Sequence, residues 1–375
     1  MGTKLLKKGL EIELYAGTER GEVLPLSTKL KEHFPDFSQE PDQRNFEYIT
    51  NPNCNYNNLF KEIIERRLKV RDFLKKSGNL TLIPGSTIPL EYSKDFFYSK
   101  PGDPYSELIL KSYGTSVITT SIHINIGIEN YDDLFKLLSI LRLYTPLFLA
   151  LSASSCFHDG KVTGYNSFRW HSFPKTPSFV PFFLNHDSYV SWIKKEIEEK
   201  KMFNVRHLWT SIRPNGPDRP NDLNRIEIRI CDLIFDVKKL LSVVALIECI
   251  AQNYLTNKES PPILTTNLDS LVNTIMEEEE NVAKFGLKAQ TIDFESGNKN
   301  SVYKIIESLY NKHKKIAEEL NILEYLNPIL DILKDGNESE QFLTMYNKNG
   351  SIQKTIEHFI QHFTSLDLSL CNIIE

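Results

Sequence analysis

The sequence predicts an α+β protein: strands with one apolar and one polar or ionisable face, interspersed with and followed by helices that bury an apolar side. Two observations carry this prediction. Four separated stretches alternate apolar residues with polar or charged ones, the period of a strand whose successive side chains point to opposite faces. Between and after them run segments with apolar residues at three- to five-residue spacing, the period of a helix buried on one side. No internal repeat and no low-complexity linker divides the 375 residues. They read as one domain, 1–375, with 260–375 as its C-terminal helical part.

The first strand is Gly9-Leu10-Glu11-Ile12-Glu13-Leu14. Leu10, Ile12 and Leu14 share the buried face, and Glu11 and Glu13 share the other. Two like charges about 4 Å apart at an effective dielectric near 20 cost on the order of 4 kcal/mol. Solvent, a basic partner or a cation must relieve that cost. Taken alone, the stretch is most simply an edge strand with a wet acidic face; a metal site needs other strands to bring compatible groups.

The remaining elements follow in order. Thr18 to Pro35 reads as a turn and a short polar segment. Glu40 to Thr50 ends as a strand, stopped by Asn51-Pro52. Asn57 to Lys76 has helical spacing at Leu59, Ile63, Leu68 and Phe73. Thr81 to Gly85 is a short apolar strand, and Glu91 to Tyr105 is irregular. Val117 to Gly127 is the clearest strand, with Ile118, Ile122, Ile124 and Ile126 on one face and Ser121, His123 and Asn125 on the other. By itself His123 reads as a histidine satisfied by a hydrogen bond. Tyr131 to Ser155 is a long apolar helix, kinked or split at Pro146, and Ser152 to Ser155 are small enough for close backbone approach. The loop Cys156 to Pro177 is rich in glycine, serine and aromatics and carries Arg169, which in isolation reads as a surface arginine. Tyr189 to Lys200 is a charged helix. His207 to Asn215 is a strand with Trp209 and Arg213 on one face. Asn224 to Asp232 puts three isoleucines on one face and Arg225, Glu227 and Arg229 on the other. Val237 to Tyr254 is a buried helix. The run Glu277 to Glu280 reads as a solvated helix face.

Composition narrows the function. A net charge of −5 argues against a general nucleic-acid binder. Lys4, Lys7 and Lys8 are not followed by an apolar core, so no secretory signal is expected. No apolar run reaches the roughly 20 residues that span a bilayer, so no membrane is expected. The five cysteines, Cys54, Cys156, Cys231, Cys249 and Cys371, are scattered without a CxxC pair. A disulfide framework and a structural zinc are disfavoured, and a reducing cytoplasm fits.

The four alternating strands bring Glu11, Glu13, Glu47, His123, Glu227 and Arg229 to ionisable faces. Converging on one sheet face, they would form an oxygen-rich site with one imidazole, suited to Mg²⁺ or Mn²⁺. Arg169, Arg213 and Arg229 could then neutralise transferring phosphoryl charge. A P-loop, GxGxxG, HExxH and GxSxG are all absent, which removes support for Walker ATPases, Rossmann dehydrogenases, zincins and serine hydrolases.

The ordered set GLEIEL, FEYIT, TTSIHINIG, LSASSCFHDGKVTGYNSFR and LWTSIRPN…RIEIRICD, with Asn281 to Leu287 further on, resembles the type 2 glutamate–cysteine ligases, in particular the cyanobacterial-type ones. The resemblance runs from about residue 4 to about residue 290. It implies the glutamine-synthetase-like catalytic fold, a curved antiparallel sheet with helices outside, and a site for ATP and two or more Mg²⁺ ions. It implies that Glu11, Glu13, Glu47, Glu40, His123 and Glu227 are metal ligands, that Arg229, His123 and Ser121 meet the nucleotide, and that Arg229, Arg213 and Arg169 act on phosphate and substrate. Two departures are Asn125, where many relatives have a second histidine, and Cys156, where many have proline. The implied reaction joins the γ-carboxylate of glutamate to the amine of cysteine through γ-glutamyl phosphate. The alternatives are another amine acceptor on the same scaffold and a nucleotide- or metal-binding protein without turnover.

Overall fold

The central strand β1 (Lys8–Thr18) is paired on both edges, which makes it the strand on which the rest of the sheet is assembled. β3 (Asn45–Ile49) lies antiparallel on one edge, with Glu13 opposite Glu47. β5 (Ile122–Gly127) lies antiparallel on the other, with Glu11 opposite His123. β4 (Leu80–Ile83) takes over the β5 edge beside Tyr15–Thr18. Beyond β5 come β9 (Arg225–Ile228) and β8 (Ile212–Asn215), placing Asn125 opposite Glu227 and Glu227 opposite Arg213. β2 (Ser38–Gln39) completes the order β2-β3-β1-β5-β9-β8. The structure, a computed structural model, describes residues 4–374 apart from 260, 262, 263, 265 and 266.

The alternation of the four strands is realised. Leu10, Ile12, Leu14, Phe46, Ile122, Ile124, Ile226 and Ile228 are all buried on the apolar face, each contributing about 1.5–3 kcal/mol of transfer free energy. They join one continuous core with the helices α2 (Tyr56–Lys76), α4 (Tyr131–Leu143) and α8 (Val237–Asn257). Asn55 caps α2 and Asp236 caps α8 by accepting from backbone amides of the first turn. α8 is long and apolar enough to cross a membrane, but 78% of its apolar window is buried inside the protein. A fully buried pair, Lys8 Nζ 2.8 Å from Glu248 Oε2, ties the start of β1 to α8; the Tyr56 hydroxyl donates to the same carboxylate at 2.7 Å.

Several segments depart from the sequence reading. The stretch 18–35 contains a helix, α1 (Ser27–His33). Asp103 caps α3 (Pro104–Tyr113), so the irregular region is shorter than expected. The ladder of the 117–127 stretch begins only at Ile122, after a 3₁₀ turn at 114–117. The 131–155 segment is two helices, α4 and α5 (Thr145–Ser152), bent by 57°; Pro146 lies in the first turn of α5, where its missing amide has no partner to lose. The loop after α5 carries the hairpin β6 (Phe157–His158) and β7 (Lys161–Val162) and a short helix, α6 (Phe168–Ser172). α7 (His186–Glu198) matches the charged helix, whereas 207–215 forms a ladder only over β8.

Gly85 follows β4 with φ +101, and a Cβ there would stand 3.1 Å from the carbonyl oxygen of Ser154. The small residues at 152–155 do pack backbone to backbone. After α9 (Leu268–Phe285) comes a hairpin, β10 (Gln290–Ile292) and β11 (Lys299–Ser301), and then α10 (Val302–Glu319), α11 (Leu323–Leu326), α12 (Pro328–Asp335), α13 (Glu338–Asn349) and α14 (Ile352–Ile374). The 277–280 run is not simply a solvated face. Glu278 and Glu279 are buried, and Glu279 accepts from the Thr145 hydroxyl at 2.7 Å.

Candidate active site

The ionisable face of the sheet forms the floor of a cavity of about 370 Å³. The registers of β1, β3, β5, β9 and β8 lay Glu47, Glu13, Glu11, His123, Glu227 and Arg213 along that face. The row has an acidic end and a basic end.

At the acidic end, one ligand atom each from Glu11, Glu47 and His123 lie within 4.8 Å of one another, and so do atoms from Glu13, Glu40 and Glu47. Glu47 belongs to both groups. Glu40 comes from the turn between β2 and β3. Burial, then Glu40, pushes the Glu13 carboxyl up to about 8. Burial, then Glu40, Glu11 and Glu13, holds Glu47 well above the usual carboxylate range. Burial also raises Glu40, against the pull of Arg229. At this end only Glu11 is lowered: burial and the Glu227 charge work against it, but the bond to His123, the imidazole's charge and Arg229 outweigh them.

His123 links the two groups. Its Nδ1 stands 2.9 Å from Glu11 Oε2 and its Nε2 3.1 Å from Ser121 Oγ; that hydroxyl donates to Glu13 Oε2 at 2.9 Å. Burial, then Arg229, lowers the imidazole's proton affinity. Asn125, one of the two departures noted in the sequence, donates to Glu11 Oε1 at 3.0 Å. The donor set is carboxylate oxygen with one imidazole, the set that suits Mg²⁺ or Mn²⁺. Among the described residues no lysine or arginine forms an ion pair with Glu13, Glu40 or Glu47, so ionising all three needs a further cation. Residues and charge both fit divalent cations.

At the basic end Glu227 is fully buried. Its two oxygens accept from Arg213 Nε at 2.7 Å and Nη2 at 3.1 Å, from Arg229 Nη1 at 2.5 Å and from Asn215 Nδ2 at 2.7 Å. Burial would raise this carboxyl, yet Arg213 and Arg229 hold it well below the usual range. The structure therefore places Glu227 in the guanidinium network and outside both groups of converging ligand atoms. Arg213 is bonded at all three nitrogens, the third to the Leu208 carbonyl at 2.8 Å; burial, then Arg229, lowers it to about 10. Arg229 is the hinge between the ends, with Nη1 also 3.3 Å from His123 Nδ1.

Arg169, on α6, lines the cavity, but much of its fork is engaged. Nε donates to Asp232 at 2.8 Å, and Nη2 donates to the carbonyls of Ile230 at 2.5 Å and Arg229 at 3.3 Å. Asp232, fully buried just beyond β9, also accepts from the Ser154 amide at 3.0 Å and the hydroxyls of Ser155 and Ser167 at 2.7 and 2.9 Å. It joins three chain segments behind the cavity, and sequence reading missed it. Its only sequence signal is a carboxylate directly after the apolar Ile230-Cys231. Arg219 and Arg206, also missed, line the cavity from the turn-rich 204–223 region. Trp209 lines it together with Phe173, their rings 5.2 Å apart.

Comparison with known proteins agrees with this architecture. Residues 7–358 match the sequence profile of glutamate–cysteine ligase family 2. A protein of Solibacter usitatus provisionally named glutamate–cysteine ligase 2 is 27% identical over 318 residues, 80% of this chain and 78% of that one. A Janthinobacterium protein of the same provisional name is 24% identical over 364 residues, 94% of this chain and 95% of its own. Among solved structures, the glutamate–cysteine ligase of Francisella tularensis in complex with AMP superposes with a TM-score of 0.74 at 13% identity, over 98% of this chain and 90% of that one. The bifunctional glutathione synthetase of Pasteurella multocida gives 0.73 at 14% identity over 97% of this chain; the match spans 53% of that longer chain. These likenesses confirm the curved antiparallel sheet with outer helices.

Proposed function

The chain belongs to glutamate–cysteine ligase family 2, and from that premise we propose that it joins the γ-carboxylate of glutamate to the amine of cysteine at the cost of ATP. The observation that carries this reading is the charge arrangement: a carboxylate–imidazole end and a guanidinium end share one cavity and touch where Arg229 meets His123. A carboxylate oxygen of glutamate attacks the γ-phosphorus of ATP and ADP leaves. The amine then attacks the acyl carbon, the carbon–oxygen bond to phosphate breaks, and the amine proton is lost.

Glu11, Glu47 and His123, with Glu13 and Glu40, would hold divalent cations. Such ions, when bound, screen the nucleotide phosphates and orient them. Arg229 bears the negative charge of the transferring phosphoryl group. Glu227 holds Nη1 of its guanidinium, which helps to orient the side chain before substrate arrives. Arg213 acts through Glu227 as a positioning residue. Asp232 holds Arg169, which in turn holds the backbone carbonyl of Arg229. Ser121 and His123 connect the two carboxylate groups and fix their side chains. Trp209 and Phe173, their rings inclined by 41°, offer an apolar aromatic wall for a planar group.

The test is a trapping assay. With Mg·ATP, glutamate and hydroxylamine but no cysteine, the protein should form γ-glutamyl hydroxamate and ADP in equal amounts. A panel of amines with product masses then identifies the acceptor. Hydroxamate without ADP would indicate γ-glutamyl transfer from an existing donor. Neither product, from a chain that still binds ATP, would overturn the catalytic reading in favour of a nucleotide-binding one.

A further inference from the structure

We infer that Arg219 receives the α-carboxylate of an amino-acid substrate; the inference rests on the ligase reading above and concerns a part of the substrate for which that reading names no partner. Arg219 lines the cavity, and its side chain is only 9% exposed. Nη2 donates to the Val205 carbonyl at 3.0 Å. Nη1 stands 3.9 Å from Glu227 Oε2, past hydrogen-bond reach. Nε is buried with no partner among the described residues.

Glu227 is not available to satisfy it. Both its oxygens are filled by Arg213, Arg229 and Asn215. Three guanidiniums, those of Arg213, Arg219 and Arg229, thus surround one carboxylate and leave positive charge unmatched in a largely buried wall. Arg206, next to the Val205 carbonyl that fixes Arg219, adds a further cation to the lining. Buried donors without an acceptor are costly, and a buried charge without a partner more so. This wall is shaped for an anion.

Position selects which anion. Arg229 contacts Glu227 Oε1 and His123, and Arg219 lies against the opposite oxygen, Oε2. From the acidic end outward the order is therefore His123, Arg229, Glu227, Arg219. Nucleotide phosphates and the reacting carboxylate belong at the His123–Arg229 side, where phosphoryl transfer takes place. A second carboxylate on the same or the next small molecule falls at Arg219, and a planar guanidinium is matched to it. Glutamate and cysteine both carry such an α-carboxylate.

The experiment compares each acid with its decarboxylated analogue. Calorimetric affinities of the full chain with Mg·ADP are measured for L-glutamate against 4-aminobutyrate and for L-cysteine against cysteamine. Wild type, Arg219→Gln and Arg219→Lys are compared, with hydroxamate formation recorded in parallel. Wild type should prefer one acid over its analogue by roughly 10- to 100-fold, the worth of a charge-assisted hydrogen bond. Arg219→Gln should erase that preference, with ADP affinity unchanged, and Arg219→Lys should keep part of it. Loss in the glutamate pair places the donor substrate at Arg219, and loss in the cysteine pair places the acceptor there.

Three results overturn the inference: a preference that survives in Arg219→Gln, a fall in ADP affinity in its place, or no preference for either acid in wild type, which needs no variant to fold. Because binding is read without turnover, the two readings fail separately. Arg219-dependent glutamate binding without hydroxamate sinks the ligase reading alone. Hydroxamate with an intact preference in Arg219→Gln sinks this one alone.

Discussion

On β1 and β3, Glu13 and Glu47 stand opposite each other across the ladder and hold their protons, Glu13 up to about pH 8. On β9, Glu227 lies on the same face, is at least as deeply buried, and is held ionised well below the usual range. Burial raises both ends alike. The difference lies in their neighbours: carboxylates around Glu13 and Glu47, guanidiniums around Glu227. One sheet face thus contains a pole that lacks positive charge and a pole that has it in excess. Under the proposed reading a divalent cation would complete the acidic pole, whereas Glu227 at the basic pole already has its hydrogen-bond partners.

The same substitution at each pole should break this contrast most strongly. Glu13→Gln is expected to lower hydroxamate and ADP formation together, on the order of a thousandfold, while leaving the metal-free melting temperature unchanged or raised. Glu227→Gln should instead leave two guanidiniums without a buried counter-charge and lower stability by roughly 3–5 kcal/mol. Chemical denaturation of both variants, without metal, checks the pair. Equal stability losses would mean that the poles do not differ in charge.

Ligand binding should give the next largest effect. Mg·ATP at 100-fold excess over its dissociation constant should stabilise the folded chain by about 2.7 kcal/mol, with a smaller rise in melting temperature in Glu13→Gln. An unmoved melting temperature at saturation would remove the metal–nucleotide reading of the acidic pole.

Smaller effects separate contact from support. Arg229→Lys keeps the charge but loses the planar fork, and turnover should fall roughly 10- to 100-fold with Mg²⁺ affinity retained. Asp232→Asn keeps the shape and hydrogen-bonding capacity of the hub but removes the charge opposite Arg169. It should lower kcat by about tenfold with little change in KM for ATP. A KM effect instead would place Arg169 in substrate contact.

The smallest effect is on pH dependence. Between the usual carboxylate value and about pH 8, folded Glu13 keeps a proton that the unfolded chain has released. The metal-free protein should therefore lose stability as pH rises through that window. Glu227 has the opposite sign: its contribution is fully present above the usual carboxylate value and is lost only as pH falls through its lowered folded value. Melting temperatures at pH 5.5 and 8, with and without Mg²⁺, test this, and the metal should shrink the difference.

Alternation along single strands determined a great deal about this protein. It named the buried face of the sheet, and it set Glu11, Glu13, Glu47, His123 and Glu227 on the opposite one, because a strand's period of two makes side-chain direction a local property. Helical spacing likewise located α2, and the charged and apolar character of 189–200 and 237–254 located α7 and α8. Local pattern did not reveal Glu278 and Glu279 as buried, since a run of four acids is the same in solvent and beneath a packed helix. It did not separate Glu227 from the other acidic residues either.

Those distinctions belong to the tertiary structure. Register set Glu13 opposite Glu47 and Glu227 opposite Arg213. The charge of a buried carboxylate follows from such neighbours, which lie far apart in the chain: Glu11 meets His123 across 112 residues, and Arg169 meets Asp232 across 63. Residue type and face are written locally, but electrostatic environment is a sum over groups that only folding brings together.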